Sequence, residues 1–424
     1  MKINKKEPVL LIILLLVFIA IRSINYIYHV NWSPDQASCG IDALNLIRSK
    51  KFITLIGPQI SANFQGHFIF QGPLITYLFL FFLLLGGWNP IPASYLFVIF
   101  ASLMIFPLYF GVKKLINSKA AWIAVIIYSL VPYYINYSRF LWNSTFQFSL
   151  LPILIFLIGL YQQKKSSMSF LLLSIWAGIL LQFHYQFVIV IFGLFVYYFL
   201  IKKIRLLNLF FYILGVSIGF SPLIIFELKH QFYHTKTLLL IIKNWQAVDR
   251  PGGVTTPHYY LTLSFLVIII LLSVFKKRIK NISCRSIIFS ALMLLFYSFY
   301  LYIPIPRQAF WAPASPWNYL AEKKIYDIIR STGLKKDFNV ANLAYYDTKA
   351  YVIKYFMKRD GYEINYEDYY KNKYLFVINE DPQFTGHTSY EITTFQPRKI
   401  INQWKINEKF NLYLLERVFT NESL

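Results

Sequence analysis

Nine apolar runs, at 8–27, 93–112, 120–135, 146–161, 169–183, 186–201, 209–226, 259–275 and 286–303, are separated by short clusters of lysine and arginine. Runs of this kind cross a ~30 Å hydrocarbon core as helices. The chain must therefore fold mainly as a bundle of transmembrane helices. Apolar types make up 57% of its residues and charged types 14%, against roughly 45–50% and 25% in soluble domains. Disorder, a collagen-like fibre and an ordinary cytosolic enzyme are excluded. The first run is too long for a cleaved signal, and no small-residue cleavage site follows it. Two cysteines, Cys39 and Cys284, exclude a disulfide framework and a cysteine-rich metal site.

Charge divides the chain in two. Residues 1–303 carry 25 Lys and Arg against five acids (Glu7, Asp35, Asp42, Glu227, Asp249), and residues 304–424 carry 17 against 14. Two domains are expected: a membrane domain over 1–303 with a first outer loop at 28–72, and a watery domain over 304–424. The net charge of +23 sits in loops flanking apolar runs, which argues topology and not nucleic acid. Lys2/Lys5/Lys6, Lys113/Lys114/Lys119, Lys164/Lys165, Lys202/Lys203/Arg205 and Lys276/Lys277/Arg278/Lys280 are expected on the cytoplasmic side, with the N-terminus. The segments 28–72, 136–145, 183–186, 227–258 and 304–424 then face outward. All seven histidines (His29, His67, His184, His230, His234, His258, His387) fall in or beside those outer segments. A full crossing at 73–87 would put Lys113 on the wrong side, so that run is expected to be re-entrant or shallow, turning at Gly86–Pro92, with an extra crossing hidden nearby as the alternative.

In the outer loop, Ser33-Pro34-Asp35-Gln36 has the form of a helix start, with Ser33 as cap, Pro34 at the first position and Gln36 closing a capping box. Ala37, Ile41, Leu44 and Ile47 follow at helical spacing, which predicts an amphipathic helix on the membrane surface. The last 120 residues alternate helix and strand signals. Helices are expected at Tyr319–Arg330 and Thr348–Arg359, stopped by Gly333 and Gly361. Strands are expected at Asn339–Tyr345 and Tyr374–Ile378, with a hairpin of Gln403–Ile406 and Asn411–Glu416. That is a small α/β domain. There is no Gly-rich phosphate loop, metal-ligand spacing or internal repeat.

Ionisable groups near hydrocarbon need a reason, and the outer face of the membrane part offers four carboxylates: Asp35, Asp42, Glu227 and Asp249. Asp35, two residues past its cap, suits either a stabilised helix start or a general base. Glu227, Lys229 and His230 form a cluster that can bind phosphate, or an interfacial anchor with a local Glu227–His230 pair. Arg139 can clamp a phosphodiester or rest at the interface beside Tyr137 and Trp142. His184, in an apolar hairpin, and His67 with Gln71 are substrate-contact candidates, with structural roles as the alternative.

These segments resemble, in order, the bacterial branch of the GT-C membrane glycosyltransferases. The nearest group is the dolichyl-phosphate-mannose protein mannosyltransferase-like family, which includes the lipid A aminoarabinose transferases. The matching pieces are Asp35-Gln36-Ala37, Phe52–Pro58, Gly66-His67 with Gln71-Gly72-Pro73-Leu74, Tyr137-Ser138-Arg139, Gln182-Phe183-His184-Tyr185, and Pro222 with Phe226-Glu227-Leu228-Lys229-His230. The resemblance implies a polyprenyl-phosphate sugar donor and inversion at the anomeric carbon. It also implies a site on the non-cytoplasmic face and a glycan, lipid or protein acceptor. Asp35 matches the first-loop acid, the base toward the acceptor. Gln36 stands where a second acid is usual, Gln71 or Gly72 replaces a lysine, and no second-loop acid lies near Arg139. Arg139, Lys229 and His230 are expected at the donor phosphate. Lipid phosphate is already a good leaving group, so neither metal nor cofactor is expected. A transporter or flippase of lipid-linked sugars is the rival, but it favours inverted repeats and midplane charges, neither of which the sequence has. A membrane scaffold leaves the placement of acids and histidines unexplained.

Overall fold

The structure is a computed structural model, and it describes residues 6–50, 52–244, 257–310, 316–345, 347–364, 369–384 and 388–418, without the side chains of 61–64. Asp249 and His387 lie outside the described residues. The chain forms two compact units: residues 1–24, 50–85 and 92–303, and residues 25–49, 86–91 and 304–424.

The first unit is helical, as the apolar runs require. Among the described residues, four of its helices are long and apolar enough to cross a membrane: Pro90–Leu115, Asn143–Lys164, Pro257–Val274 and Cys284–Tyr302. Lys6–Ser23 is an 18-residue apolar helix that also carries Lys6, Glu7 and Arg22. Leu206–Gly219 and Ser221–Lys229 form one run bent by 74°. Pro222 in the first turn of the second arm brings no backbone N–H, so the helical ladder is interrupted there. The chain is a multi-pass membrane protein.

The basic loops gather at one end of this unit. Lys113 Nζ meets the Glu7 carboxylate at 2.6 Å. Lys114 Nζ donates to Gln163 Oε1 at 2.7 Å, and Lys119 Nζ donates to the carbonyls of Lys280 and Ile282, each at 2.7 Å. Charge excluded from hydrocarbon collects where water and carbonyls are available. Since Glu7 and Lys113 meet, the chain has returned to its starting end by Lys113. Lys6–Ser23 and Pro90–Leu115 supply those two passes. Leu74–Leu85 has 12 residues, about 18 Å of helix, and its Phe79 and Phe82 rings pack on Phe146, in the first turn of Asn143–Lys164. It is a shallow segment at the opposite end, as the parity of the basic clusters demanded.

Small residues bring helices together where lipid gives no hydrophobic drive. Gly215 and Gly219 lie against Ser174 and Gly178 across Leu206–Gly219 and Ser167–Leu181. A Cβ on Gly219 would sit 2.1 Å from the Ile175 carbonyl oxygen, and one on Gly178 2.4 Å from that of Val216. Backbone cannot give way as a flexible side chain would.

The second unit holds a four-stranded sheet. With the hairpin strands β1 (Gln59–Phe64) and β2 (His67–Phe70) belonging to the first unit, the sheet consists of β3 (Phe338–Asn342), β4 (Tyr374–Asn379), β5 (Arg398–Lys405) and β6 (Asn411–Arg417), ordered β3-β4-β6-β5. β3 and β4 are parallel, joined through helix Tyr351–Arg359, and the other pairings are antiparallel. Gly333 and Gly361 adopt positive φ, 74° and 86°, and end their helices as expected. The expected Thr348–Arg359 helix starts later, at Tyr351, because Ala350 is left-handed and Asp347 Oδ2 accepts the Tyr351 N–H at 2.8 Å.

Helix Pro34–Arg48 also belongs here, and this corrects the expected membrane-surface helix. Ala37, Ile41 and Leu44 are buried, and the helix packs on Tyr351–Arg359. The Trp32 and Tyr355 rings are 4.9 Å apart, Tyr355 OH donates to the Trp88 carbonyl at 2.9 Å, and Arg48 donates to the Lys358 carbonyl. The apolar stripe was real, but protein covers it.

Gly219→Ala is expected to destabilise the purified protein by about 1–3 kcal/mol through overpacking. Gly193→Ala, where no atom lies within 4 Å of the new Cβ, should be neutral or stabilising. Thermal unfolding in detergent reads both. Equal midpoints for the two variants would refute the close-contact account.

Candidate functional site

Asp35 is set by its own helix start. Ser33 N–H donates to Gln36 Oε1 at 3.0 Å, and the Ser33 hydroxyl donates to the same oxygen, so the expected capping box forms. This fixes the first turn and leaves Asp35 at the second position, its side chain open to solvent. Protein nevertheless crowds it from most directions, and that desolvation raises its carboxyl above the usual range. Asp42, two turns on, is pushed up to about 6 by burial, against the pull of Lys358.

In the first unit, the end opposite the basic loops carries every other candidate. The hairpin β1–β2 turns at Gln65-Gly66, both at positive φ, the two-residue turn that matches strand twist. His67 follows the turn, is exposed, and faces the Tyr233 ring at 6.2 Å. The hairpin is tied down from several sides: Phe68 N–H donates to Tyr233 OH at 3.2 Å, Phe70 N–H to His234 Nε2 at 3.1 Å, and Tyr185 OH to the Phe70 carbonyl at 2.5 Å. Gln71 is buried, and its backbone pairs with Gly57 and Pro58. Gly72 N–H donates to the Gln182 carbonyl at 2.8 Å, so the hairpin lies against the His184 turn.

Glu227 is not paired with His230. Its carboxylate accepts the N–H groups of His234 and Thr235, at 2.7 and 2.9 Å, and the Thr235 hydroxyl at 2.6 Å. It thereby caps helix Tyr233–Lys243, with His234 Nδ1 at 3.6 Å. Burial lowers the His234 imidazole while Glu227 pulls it back. Lys229 and His230, at the end of the bent arm, are exposed, with the His230 ring 4.4 Å from that of Phe226. His67, Glu227, Lys229 and His230 thus share one region around Phe226, Tyr233 and His234.

His184 belongs to a neighbouring aromatic group. Its ring is 5.1 Å from Tyr259, which is 4.3 Å from His258; His258 lies 6.1 Å from Trp142. Burial first, then the neighbouring His258, lowers His184 to about 4 and holds it neutral.

Arg139 is a correction. Instead of an interfacial cation beside Trp142, it is fully buried. It donates to the Ile21 carbonyl at 3.0 Å and lies 4.2 Å over the Tyr302 ring. A guanidinium with no open surface does not meet a phosphate in this conformation. Beside it is a residue the sequence reading passed over. Arg22 is equally buried, donating to Ser138 Oγ at 2.5 Å and to the Ser129 carbonyl at 2.9 Å. A cation inside an apolar run was the available signal. Asp347 and Lys354, buried in the second unit, were also missed, since soluble domains carry such residues routinely. Among the described residues no group of three or more His, Cys, Asp or Glu is placed to hold a metal.

Comparison with known proteins agrees with the resemblance read from the motifs. Residues 71–226 match the family described as dolichyl-phosphate-mannose-protein mannosyltransferase. No curated protein matches the chain in sequence. Among solved structures, the crystal structure of ArnT from Cupriavidus metallidurans bound to undecaprenyl phosphate superposes with a TM-score of 0.60, covering 98% of this chain and 99% of that one at 8% identity. The chain therefore shares the fold of ArnT along its length, and its residues 71–226 match the family described as dolichyl-phosphate-mannose-protein mannosyltransferase.

Proposed function

We propose that this protein is an integral-membrane glycosyltransferase that moves a sugar from a polyprenyl-phosphate donor to an acceptor hydroxyl on the non-cytoplasmic face, with inversion. The observation that carries the reading is the matched family segment inside a chain of this fold. The segregation of candidate residues to the end away from the basic loops supports it. The neighbour's crystal contains undecaprenyl phosphate, a lipid of the proposed donor class.

The mechanism follows from the groups available. The polyprenyl tail stays in the bilayer, and the open apolar groove lined by Val131, Tyr133, Tyr134, Tyr260 and Ile268 is the right chemistry to hold it. The donor phosphate lies against Lys229 and His230, whose charge and N–H groups stabilise the leaving oxygen. Asp35 accepts the acceptor's proton as that oxygen bonds to the anomeric carbon. The carbon–phosphate-oxygen bond breaks through an oxocarbenium-like state, and polyprenyl phosphate leaves with the electron pair. Glu227 holds the Tyr233–Lys243 arm, while His67, His184 and Gln71 shape the sugar end. Arg139, with Arg22, braces the helices beneath. On this reading the basic loops face the cytoplasm.

Asp35→Asn is expected to lower transfer by about 10²–10⁴-fold without reducing the yield of folded protein; transfer equal to wild type would remove Asp35 from the mechanism. Asp35 works as a base only when ionised. Its raised carboxyl therefore makes kcat/KM fall with decreasing pH earlier than an ordinary aspartate would, and a rate flat down to the usual carboxylate range would contradict this. Replacing both Lys229 and His230 by Ala should raise donor KM about tenfold or more, the loss of one or two charge-assisted hydrogen bonds, and change kcat less. Donor crossing liposomes intact, with no transfer, would favour the transporter.

For orientation, single cysteines are introduced into a Cys284→Ser chain in intact cells. One at Lys229 should react with an impermeant maleimide and one at Lys164 should not; the reverse pattern would invert the topology.

A further inference from the structure

Strand β2 is one edge of a two-stranded hairpin, and the backbone groups on its outer side need partners from elsewhere. Side chains supply them. Phe68 N–H donates to Tyr233 OH at 3.2 Å and Phe70 N–H to His234 Nε2 at 3.1 Å, while the Phe70 carbonyl accepts from Tyr185 OH at 2.5 Å. Helix Tyr233–Lys243 thus lies along the strand edge, with Ile69 and Ile241 buried together and Ile60 and Tyr185 packed on them. The base of the hairpin is fixed separately, by Gly57 N–H on the Gln71 carbonyl, Gln71 N–H on that of Pro58 and Gly72 N–H on that of Gln182. The tip is open: a Cβ on Gly66 would have no atom within 4 Å. The hairpin is therefore a flap, anchored at its base and clamped along one edge. One clamp depends on protonation. An imidazole nitrogen accepts a hydrogen bond only while it carries no proton. His234 Nε2 faces an N–H, so the ring is neutral with its proton on Nδ1, 3.6 Å from Glu227 Oε1. The ring is buried between those of Phe70 and Phe226, at 5.7 and 4.8 Å.

We propose that His234 is a positioning residue: neutral, it clamps the β1–β2 flap that carries His67, and on taking up a proton it lets the flap go. The clamp stands on its own contacts. Its effect on catalysis rests on the proposed transferase reading, in which His67 and Gln71 shape the sugar end. A proton on Nε2 would point at the Phe70 N–H, two donors face to face. Turning the ring gives no relief, because both nitrogens of an imidazolium are donors. The titratable groups around the ring, among the described residues, are Glu227 on the bent arm, Tyr233 on its own helix and Tyr185 on the Phe70 peptide. His230 lies against the same Phe226 ring, and His67 against that of Tyr233. Burial lowers the imidazole below its ordinary 6.5, and the Glu227 charge opposes that. The docked ring therefore takes a proton less readily than the released one. Docking is at full strength above about pH 6.5, where the released ring is neutral, and weakens as pH falls below it.

The test is amide hydrogen exchange of residues 67–71 in the full chain in detergent, from pH 8 to 5, corrected for the intrinsic exchange rate. Wild type, His234→Gln and His234→Phe are compared, with a thermal midpoint for each. Gln offers an acceptor that does not titrate; Phe keeps the aromatic packing and offers none. Wild-type protection should fall below about pH 6.5, by up to about tenfold per unit. His234→Gln should keep its pH 8 protection throughout, and His234→Phe should exchange fast at every pH. Strand β4 is the control and should show no such step. Flat wild-type protection, or a His234→Gln that loses protection as wild type does, overturns the proposal. Sugar transfer gives a second reading. The ratio of wild-type to His234→Gln donor KM removes every titration the two proteins share. It should rise about three- to tenfold between pH 8 and 5, as the fraction with a docked flap shrinks. A constant ratio overturns the positioning role. Wild type inactive on every polyprenyl-phosphate sugar would overturn the transferase reading instead, and the exchange profile would still decide the clamp.

Discussion

A charge in hydrocarbon costs several kcal/mol unless it finds a partner, a carbonyl or water, and the membrane unit is organised around that cost. The lysines of its basic loops sit on carbonyls, an amide and one glutamate at a single end, through Glu7–Lys113, Lys114–Gln163 and Lys119 with Lys280 and Ile282. Histidines, Glu227 and the bent Ser221–Lys229 arm are left for the other end. The two arginines inside the bundle obey the same rule by a different route. Arg22 and Arg139 donate to the carbonyls of Ser129 and Ile21 and lie on the Phe18 and Tyr302 rings.

The second unit shows how a short amphipathic segment is claimed by protein instead of lipid. Helix Pro34–Arg48 has an apolar stripe that a membrane surface would accept, but Trp32 and Gly40 offer a fit for the Tyr355 ring that lipid does not. Aromatic contact of this kind adds to area burial, and the tightness at Gly40 shows how near the two helices come. The acid at the helix start is thereby fixed to a folded domain and not to a fluctuating interface. A general base must hold its geometry to well under an ångström to be effective, and this docking would supply that for Asp35 in the role proposed for it.

Local signals in the sequence were reliable where one residue carries one physical consequence. Ser33 and Gln36 closed their box, Gly333 and Gly361 stopped their helices, and Tyr374–Ile378 became a strand. Misreadings came from partners that only the path of the chain brings together. Glu227 was assigned to His230 three residues on, but the chain turns and presents the free N–H groups at His234 and Thr235, which a carboxylate prefers to an imidazole. Arg139 looked interfacial because its neighbours Tyr137 and Trp142 are, yet Ile21 and Tyr302 bury it. The hairpin at Gln59–Phe70 was not read at all, since Gln65-Gly66 is a weak turn signal beside Asn-Gly or Asp-Gly.

The amino-acid sequence by itself determined that the chain is a multi-pass membrane protein with a watery C-terminal portion, and that the histidines of its membrane part fall in or beside the segments away from the basic loops. These follow from hydropathy and charge, which are properties of each residue against its solvent. The tertiary structure decided which of those groups keep open surface and which are spent on holding the fold. It turned Arg139 inward, gave Glu227 to a helix start, and buried Asp347 and Lys354 in the second unit. Burial and hydrogen-bond partnership are relations set by how the chain turns and packs, from seven positions apart for Glu227 and His234 to 118 for Arg139 and Ile21, and hydropathy and charge do not encode them.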